Sequence, residues 1–312
     1  MKENLAIIFP GQGSQKVGML ADYEGSEILQ ATFAEASEAL GYNAWEAVKE
    51  GPQEKLNLTE ITQPILLTSS IALWRIWQDK NGSVPAFMAG HSLGEWTALV
   101  ASETVAFQDA VKLVRSRGKY MQDAVPAGEG AMAAIIGLAD DVVENICAEV
   151  TAEGVVSAVN YNSPAQLVIA GNAACVEQAI DACREAGAKK AMSLPVSAPF
   201  HTSLMKPAAD RLQEEIMATA FASPKVPVIH NVNAQTETDA EKIKQIMVEQ
   251  IYSPVRWVSC VQTLVNKGVE QAVECGPGKV LSGLNRRIDK SISSFATEQA
   301  SALESAIEAT QQ

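Results

Sequence analysis

Residues 85–102 read Pro85-Ala-Phe-Met-Ala-Gly-His-Ser-Leu-Gly-Glu-Trp-Thr-Ala-Leu-Val-Ala-Ser102. Ala86 to Ala89 is a short apolar run of the kind that a parallel sheet buries on both faces. Gly90-His91-Ser92-Leu93-Gly94 follows, and the next residues put Trp96, Leu99 and Val100 on one side of a helix. Gly-x-Ser-x-Gly between a strand and a helix is the nucleophile-elbow pattern. Its glycines let strand and helix pass close together, so the serine takes a tight, strained backbone position. The hydroxyl then projects at the sheet edge, beside a helix N-terminus whose free N–H groups can hold an oxyanion. A glycine-rich turn with an incidental serine would match the same five letters. The strand-turn-helix context favours a nucleophile, Ser92.

The bulk of the chain fits an enzyme of that kind. Its 312 residues give room for a large core and one inserted or appended unit. A net charge of −13 argues against a nucleic-acid binder and against adhesion to anionic membranes. Five apolar residues (Leu5 to Phe9) before Pro10-Gly11 are too few for a secretion signal, and no apolar run approaches the ~20 residues that span a bilayer. A cytoplasmic location is expected. The five cysteines include no C-x-x-C, and the three histidines (91, 201, 230) show no metal-ligand spacing. Reduced, buried thiols and no metal are expected.

Outward from the elbow, Leu5 to Phe9 reads as a buried strand ending in Pro10-Gly11-Gln12-Gly13-Ser14-Gln15. The G-x-G-x-x-G fingerprint of dinucleotide binding fails there, because Lys16 stands in place of the third glycine. The exposed N–H groups of such a loop also suit the second half of an oxyanion hole. Helices are predicted over 26–50, 63–79 and 107–124. In the last, Arg115 and Arg117 flank opposite edges of the stripe Ala110, Val111, Val114, Gly118 and Met121; one of them can face a cleft, and the pattern does not choose between them.

The texture changes at Pro126-Ala-Gly-Glu-Gly130. Strands at 131–138, 155–161, 166–170 and 189–196 alternate with helices at 140–151 and 172–186. That β-α-β-β-α-β order is ferredoxin-like. The expected fold is therefore α/β, with a small ferredoxin-like domain over 126–197 inserted in a catalytic domain over 1–125 and 198–312. After it come a helix from about 204, a strand at 226–229, a helix at 240–252, a short strand at 271–273 and a terminal helix from 298.

A serine needs a base at neutral pH. His91 neighbours the nucleophile but its side chain should point away from it, and His230 closes a core strand as a structural residue. His201 sits at a loop-to-helix junction after Pro199, where a returning catalytic loop would place it, and is the predicted base.

The motifs together resemble one family. Phe9-Pro-Gly-Gln-Gly-Ser-Gln15, Gly90-His-Ser-Leu-Gly-Glu95, Asn160-x-Asn-Ser-Pro164, Ala198-Pro-Phe-His201 and Cys275-Gly-Pro-Gly-Lys279 occur in the order and spacing of malonyl-CoA:acyl-carrier-protein transacylases, and of the acyltransferase domains of polyketide synthases. The resemblance spans nearly the whole chain. It implies an α/β-hydrolase-like large domain with a ferredoxin-like insert, in agreement with the reading above. It also implies Ser92 as nucleophile, His201 as base and the main-chain carbonyl of Gln250 as the group orienting His201. The N–H groups of Gln12 and Leu93 would form the oxyanion hole. Arg117, rather than Arg115, matches the arginine that holds the malonyl carboxylate. Phe200 matches the residue carried by malonyl-selecting polyketide acyltransferases, where methylmalonyl-selecting ones more often have serine. Cys275 stands where another residue is common, with no functional consequence expected.

The implied reaction is ping-pong: malonyl-CoA acylates Ser92, CoA leaves, and the phosphopantetheine thiol of acyl carrier protein takes the malonyl group. No cofactor is implied, since malonyl-CoA and CoA are substrate and product. A trans-acting polyketide acyltransferase shares this chemistry, and a serine thioesterase would share the nucleophile. Acyl carrier protein is acidic, like this chain, so docking needs a local cationic patch. Lys189-Lys190 and Arg286-Arg287 are the predicted candidates, if the small domain leans over the site. A monomer is the working expectation.

Overall fold

The computed structural model describes residues 1–150, 154–196 and 198–311. Residues 151–153, 197 and 312 lie outside that description. They include the last residue of the helix predicted over 140–151, the last residue of the predicted small domain and the chain's final residue.

The larger sheet is parallel throughout. Its strands are β1 (Lys2–Phe9), β2 (Pro85–Gly90), β7 (Val228–Ile229), β8 (Gln271–Glu274) and β9 (Ser293–Ala296), in the order β7-β2-β1-β8-β9. Leu5 to Phe9 are all fully buried, and their alternation divides the core. Leu5, Ile7 and Phe9 face one apolar cluster, whereas Ala6 and Ile8 face another. The first cluster is built with α1 (Glu27–Leu40), α2 (Ala44–Lys49), α3 (Gln53–Leu56), α4 (Thr59–Asp79), α5 (Leu93–Ala101) and α6 (Phe107–Asp123). α4 runs through its middle, and most of its residues are buried. Helices on both faces explain why the strands read as unbroken apolar runs.

The smaller sheet is antiparallel. β3 (Gly130–Ile136), α7 (Asp140–Val150), β4 (Val156–Ser163), β5 (Gln166–Asn172), α8 (Ala173–Glu185) and β6 (Lys190–Ser193) pair in the order β4-β5-β3-β6. Ala133, Ile135, Leu167 and Ile169 pack on one face against α7 and α8. Met132, Val168 and Ala170, pointing the other way, join the main cluster. A backbone tie fixes β4 to the segment 253–256 of the large unit, with Tyr161 N–H donating to Val255 O and Val255 N–H to Val159 O. The small unit is therefore sealed onto the large one over the carboxyl ends of β1 and β2.

The chain ends with α9 (Lys206–Ala218), β7, α10 (Ala240–Glu249), α11 (Trp257–Asn266), β8, α12 (Val280–Ile288), β9 and α13 (Ala300–Gln311). Four predicted elements need correction. The helix over 26–50 breaks at Gly41, which takes the left-handed conformation, and Asn43 caps the new start by accepting from Glu46 N–H. The strand over 189–196 shortens to β6. The strand over 226–229 shortens to β7, since Pro227 has no N–H to give a ladder. The helix over 240–252 ends at Glu249, and Gln250–Tyr252 tightens into a 3-10 turn. No helix of the described residues is long and apolar enough to cross a membrane.

Candidate active site

The elbow forms as its sequence demands. Ser92 sits between β2 and α5 with φ 51° and ψ −107°, a conformation that costs a non-glycine residue energy. The flanking glycines are dictated by contact: a Cβ on Gly90 would lie 2.0 Å from the Gly94 carbonyl carbon, and one on Gly94 would lie 2.1 Å from Phe9 O. Asn231, just after β7, holds the strained turn. Its Oδ1 accepts from Ser92 N–H at 2.8 Å and its Nδ2 donates to Gly90 O at 2.7 Å.

Two residues remote in sequence meet the hydroxyl, and a third orients them. His201 Nε2 lies 2.8 Å from Ser92 Oγ, and His201 Nδ1 lies 2.9 Å from the main-chain oxygen of Gln250. A carbonyl only accepts, so Nδ1 carries the proton and Nε2 presents its lone pair to the serine. Arg117 donates through Nη2 to Ser92 Oγ at 3.1 Å and to Gln250 Oε1 at 3.0 Å, and through Nη1 to Gln63 Oε1 at 2.8 Å. Burial, and then the charge of Arg117, push the His201 imidazole down to about 3. His201 is thus neutral and able to accept a proton across the ordinary pH range. Burial also pushes Arg117 down to about 10, with Glu95 opposing the shift. A guanidinium 1% exposed, with Nε unpartnered among the described residues and neutral amides as its nearest acceptors, is a cation prepared for an anion.

A pocket of about 130 Å³ opens onto these groups, lined by Gln12, Gln63, Ser92, Leu93, Arg117 and His201, with Met132, Leu194 and Phe200 as apolar walls. Leu93 opens α5, where an N–H has no partner within the helix. The predicted oxyanion pair, Gln12 and Leu93, therefore face one cavity. Next to it lies a second cavity of about 290 Å³, which shares Gln12, His91, Asn160 and Leu194 and continues past Gln166 to Val280, Leu281 and Leu284. Such a passage matches an extended, unbranched substrate arm.

The structure places each of the side chains between which the sequence did not choose. Arg117 faces the pocket, whereas Arg115 turns out to Leu40 O and the Tyr42 ring. His91 turns to Asn162, with Nε2 2.8 Å from Oδ1, and His230 meets Glu95 inside the core. Phe200 is buried beside His201. Lys189, Lys190, Arg286 and Arg287 are exposed, and Arg287 reaches the small sheet that carries Lys190. Arg287 donates to Gln166 Oε1 at 2.7 Å; Gln166 pairs with Ile136, and Ile136 with Lys190. Two strand spacings, about 10 Å, separate the Gln166 and Lys190 backbones. Among the described residues, no group of His, Cys, Asp and Glu is placed to hold a metal, and all five cysteines are free and buried.

Sequence reasoning missed Gln63, Glu95 and Asn231. Glu95 carried a signal: an acid amid Leu93, Trp96, Ala98 and Leu99 on a buried helix needs buried partners. Gln63 and Asn231 gave none, since neutral amides are common on surfaces.

The acyl transferase domain family matches residues 6–302. The malonyl CoA-acyl carrier protein transacylase of Escherichia coli K12 is 53% identical over 304 residues, covering 97% of this chain and 98% of that protein. The Bacillus subtilis protein of the same name is 45% identical, with 97% and 96% covered. Among solved structures, an acyl carrier protein S-malonyltransferase from Vibrio cholerae superposes with a TM-score of 0.95 at 52% identity, covering 97% of this chain and 99% of that one. A type II PKS acyl-carrier protein in complex with its malonyl-transacylase gives a TM-score of 0.97 at 49% identity, covering 98% and 99%. With half its residues shared along almost its entire length, the chain belongs to the malonyl CoA-acyl carrier protein transacylase family of acyl transferases.

Proposed function

We propose that this enzyme transfers the malonyl group from malonyl-CoA to the phosphopantetheine thiol of acyl carrier protein through an ester on Ser92. The observation that carries this reading is Arg117, a buried cation 3.1 Å from the nucleophile whose hydrogen bonds, among the described residues, go to neutral oxygens. An acyl group ending in a carboxylate supplies the missing anion while its thioester carbon meets Ser92 Oγ.

In the first half-reaction Ser92 Oγ attacks the thioester carbonyl and His201 Nε2 takes the hydroxyl proton. The negative oxygen is held by the N–H groups of Gln12 and Leu93. When the intermediate collapses, the C–S bond breaks and the CoA sulfur leaves with the proton from His201. In the second half the carrier thiol gives its proton to His201 and attacks the ester; the C–O bond to Ser92 breaks as His201 returns the proton to Ser92 Oγ. The Gln250 carbonyl fixes the tautomer, and as a neutral group it stabilises the imidazolium less than an aspartate would. A carboxylate on Arg117 offsets the positive charge that holds His201 down, so malonyl binding itself makes the base stronger. Serine, imidazole and backbone N–H groups suffice for this chemistry, and no cofactor takes part. Fatty-acid synthesis in the cytoplasm is the proposed setting.

The fold labels belong to the same proposal. The strand-turn-helix elbow on a parallel sheet supports an α/β-hydrolase-like catalytic domain over 1–125 and 198–312. The β-α-β-β-α-β order supports a ferredoxin-like domain over 126–197. A second setting is favoured by the polyketide-synthase complex: the same chemistry with a polyketide carrier. Initial rates at several carrier concentrations test the scheme. Double-reciprocal lines against malonyl-CoA run parallel for the ping-pong route, and intersecting lines contradict it. Comparing fatty-acid and polyketide carriers in that assay identifies the pathway.

A further inference from the structure

One buried ionisable group takes no part in the chemistry above. Glu95 lies in the first turn of α5, three residues past the nucleophile, and is fully buried. A carboxylate is costly to bury unless donors reach it, and they come from two other elements. His230 Nδ1 meets Oε1 at 2.7 Å, Asn231 N–H donates to Oε2 at 3.2 Å, and Gln250 Nε2 donates to Oε2 at 2.7 Å. His230 and Asn231 follow β7, and Gln250 opens the turn after α10. One carboxylate thus joins the nucleophile helix to both loops behind it.

The link continues to the reacting atoms through Gln250. A carboxylate only accepts, so Gln250 must turn its NH₂ toward Glu95, where it also donates to Ser92 O at 3.0 Å. Its Oε1 is left to face Arg117 Nη2 at 3.0 Å, while its main-chain oxygen takes the His201 Nδ1 proton. Were the amide reversed, NH₂ would confront the guanidinium, donor against donor. The Glu95 charge also favours the charged form of Arg117.

We propose that Glu95 is a positioning residue for the transfer reaction. Its carboxylate sets the orientation of the Gln250 amide, and that amide holds Arg117 where the malonyl carboxylate must bind. The inference rests on the malonyl-transfer reading of the site. A carboxylate that merely filled the core would, when altered, lower stability and slow every acyl group alike. A positioning carboxylate acts selectively, on acyl groups that use Arg117.

The test measures kcat/KM for malonyl-CoA and acetyl-CoA, together with Tm, in Glu95→Asp and Glu95→Gln. Aspartate keeps the charge but withdraws the acceptors by one methylene. Its malonyl-to-acetyl ratio should fall about tenfold, chiefly through the malonyl KM, as expected for a lost hydrogen bond in a charged network. Glutamine reaches the same place, with its oxygen toward Gln250 and its NH₂ toward His230, and should keep most of the ratio. An unchanged ratio in Glu95→Asp overturns the proposal. So does an equal fall in both variants, which assigns the effect to any change at position 95 rather than to where the acceptor stands. Should Glu95→Asp not fold, Gln250→Met removes the linking amide, and an unchanged ratio there overturns the proposal as well. Wild-type protein that forms no malonyl ester refutes the functional reading instead; wild-type protein that transfers malonyl with a ratio insensitive to position 95 refutes this inference alone.

Discussion

Replacing Arg117 with alanine separates selectivity from chemistry. The guanidinium is 1% exposed and makes three hydrogen bonds, to Gln63, Gln250 and Ser92. A malonyl carboxylate would replace contacts to neutral oxygens by charge-assisted ones, and a hydrogen bond to a charged group contributes ~1.5–3 kcal/mol. The loss in malonyl kcat/KM is therefore about ten- to a hundredfold or more. In the proposed scheme acetyl transfer uses Ser92, His201 and the oxyanion hole but has no carboxylate to hold, so it should be largely spared. The assay follows release of CoA thiol from malonyl-CoA and acetyl-CoA with saturating carrier protein. Equal losses for both acyl groups would show that Arg117 only supports the fold, and the selectivity argument would fail.

Other perturbations read other parts of the site. The charge of Arg117, second to burial, helps hold His201 near 3, so Arg117→Ala moves that imidazole up toward its usual 6.5. The acid limb of acetyl transfer should shift to higher pH, and an unmoved limb would separate the two groups. Phe200→Ser opens the wall beside His201 and should raise the methylmalonyl-to-malonyl ratio, with ~1–3 kcal/mol of discrimination at stake; an unchanged ratio places the filter elsewhere. Lys190→Glu with Arg287→Glu should raise KM for the carrier protein, leave transfer to free pantetheine nearly unaltered, and lose its effect as salt screens the charges. An unchanged carrier KM at low salt moves docking off this face.

The sequence disclosed what local chemistry dictates. The elbow is a steric requirement written in two glycines, and the buried strands and the change of texture at Pro126 follow from apolar runs and breakers. Of the helices, 26–50 failed because Gly41 reads as a tolerated interior residue until the chain is seen to turn back there. β9 was missed because Ser293-Ser-Phe-Ala296 has no apolar run; an edge strand half open to water needs none. Ser92 and His201 were legible from residue type and context. Arg117 was separated from Arg115 only by resemblance, since two arginines at the edges of one helical stripe differ in tertiary surroundings alone. Gln250 was legible only by resemblance too, because its role belongs to a main-chain oxygen that every residue possesses.

The covalent intermediate is the centre of this account. The enzyme is mixed with malonyl-CoA without acceptor, quenched in acid, digested and examined by mass spectrometry. A single malonyl adduct on the peptide carrying Ser92, absent from Ser92→Ala and discharged by holo carrier protein, is the predicted result. Full transfer by Ser92→Ala, or an adduct on any other residue, would contradict it.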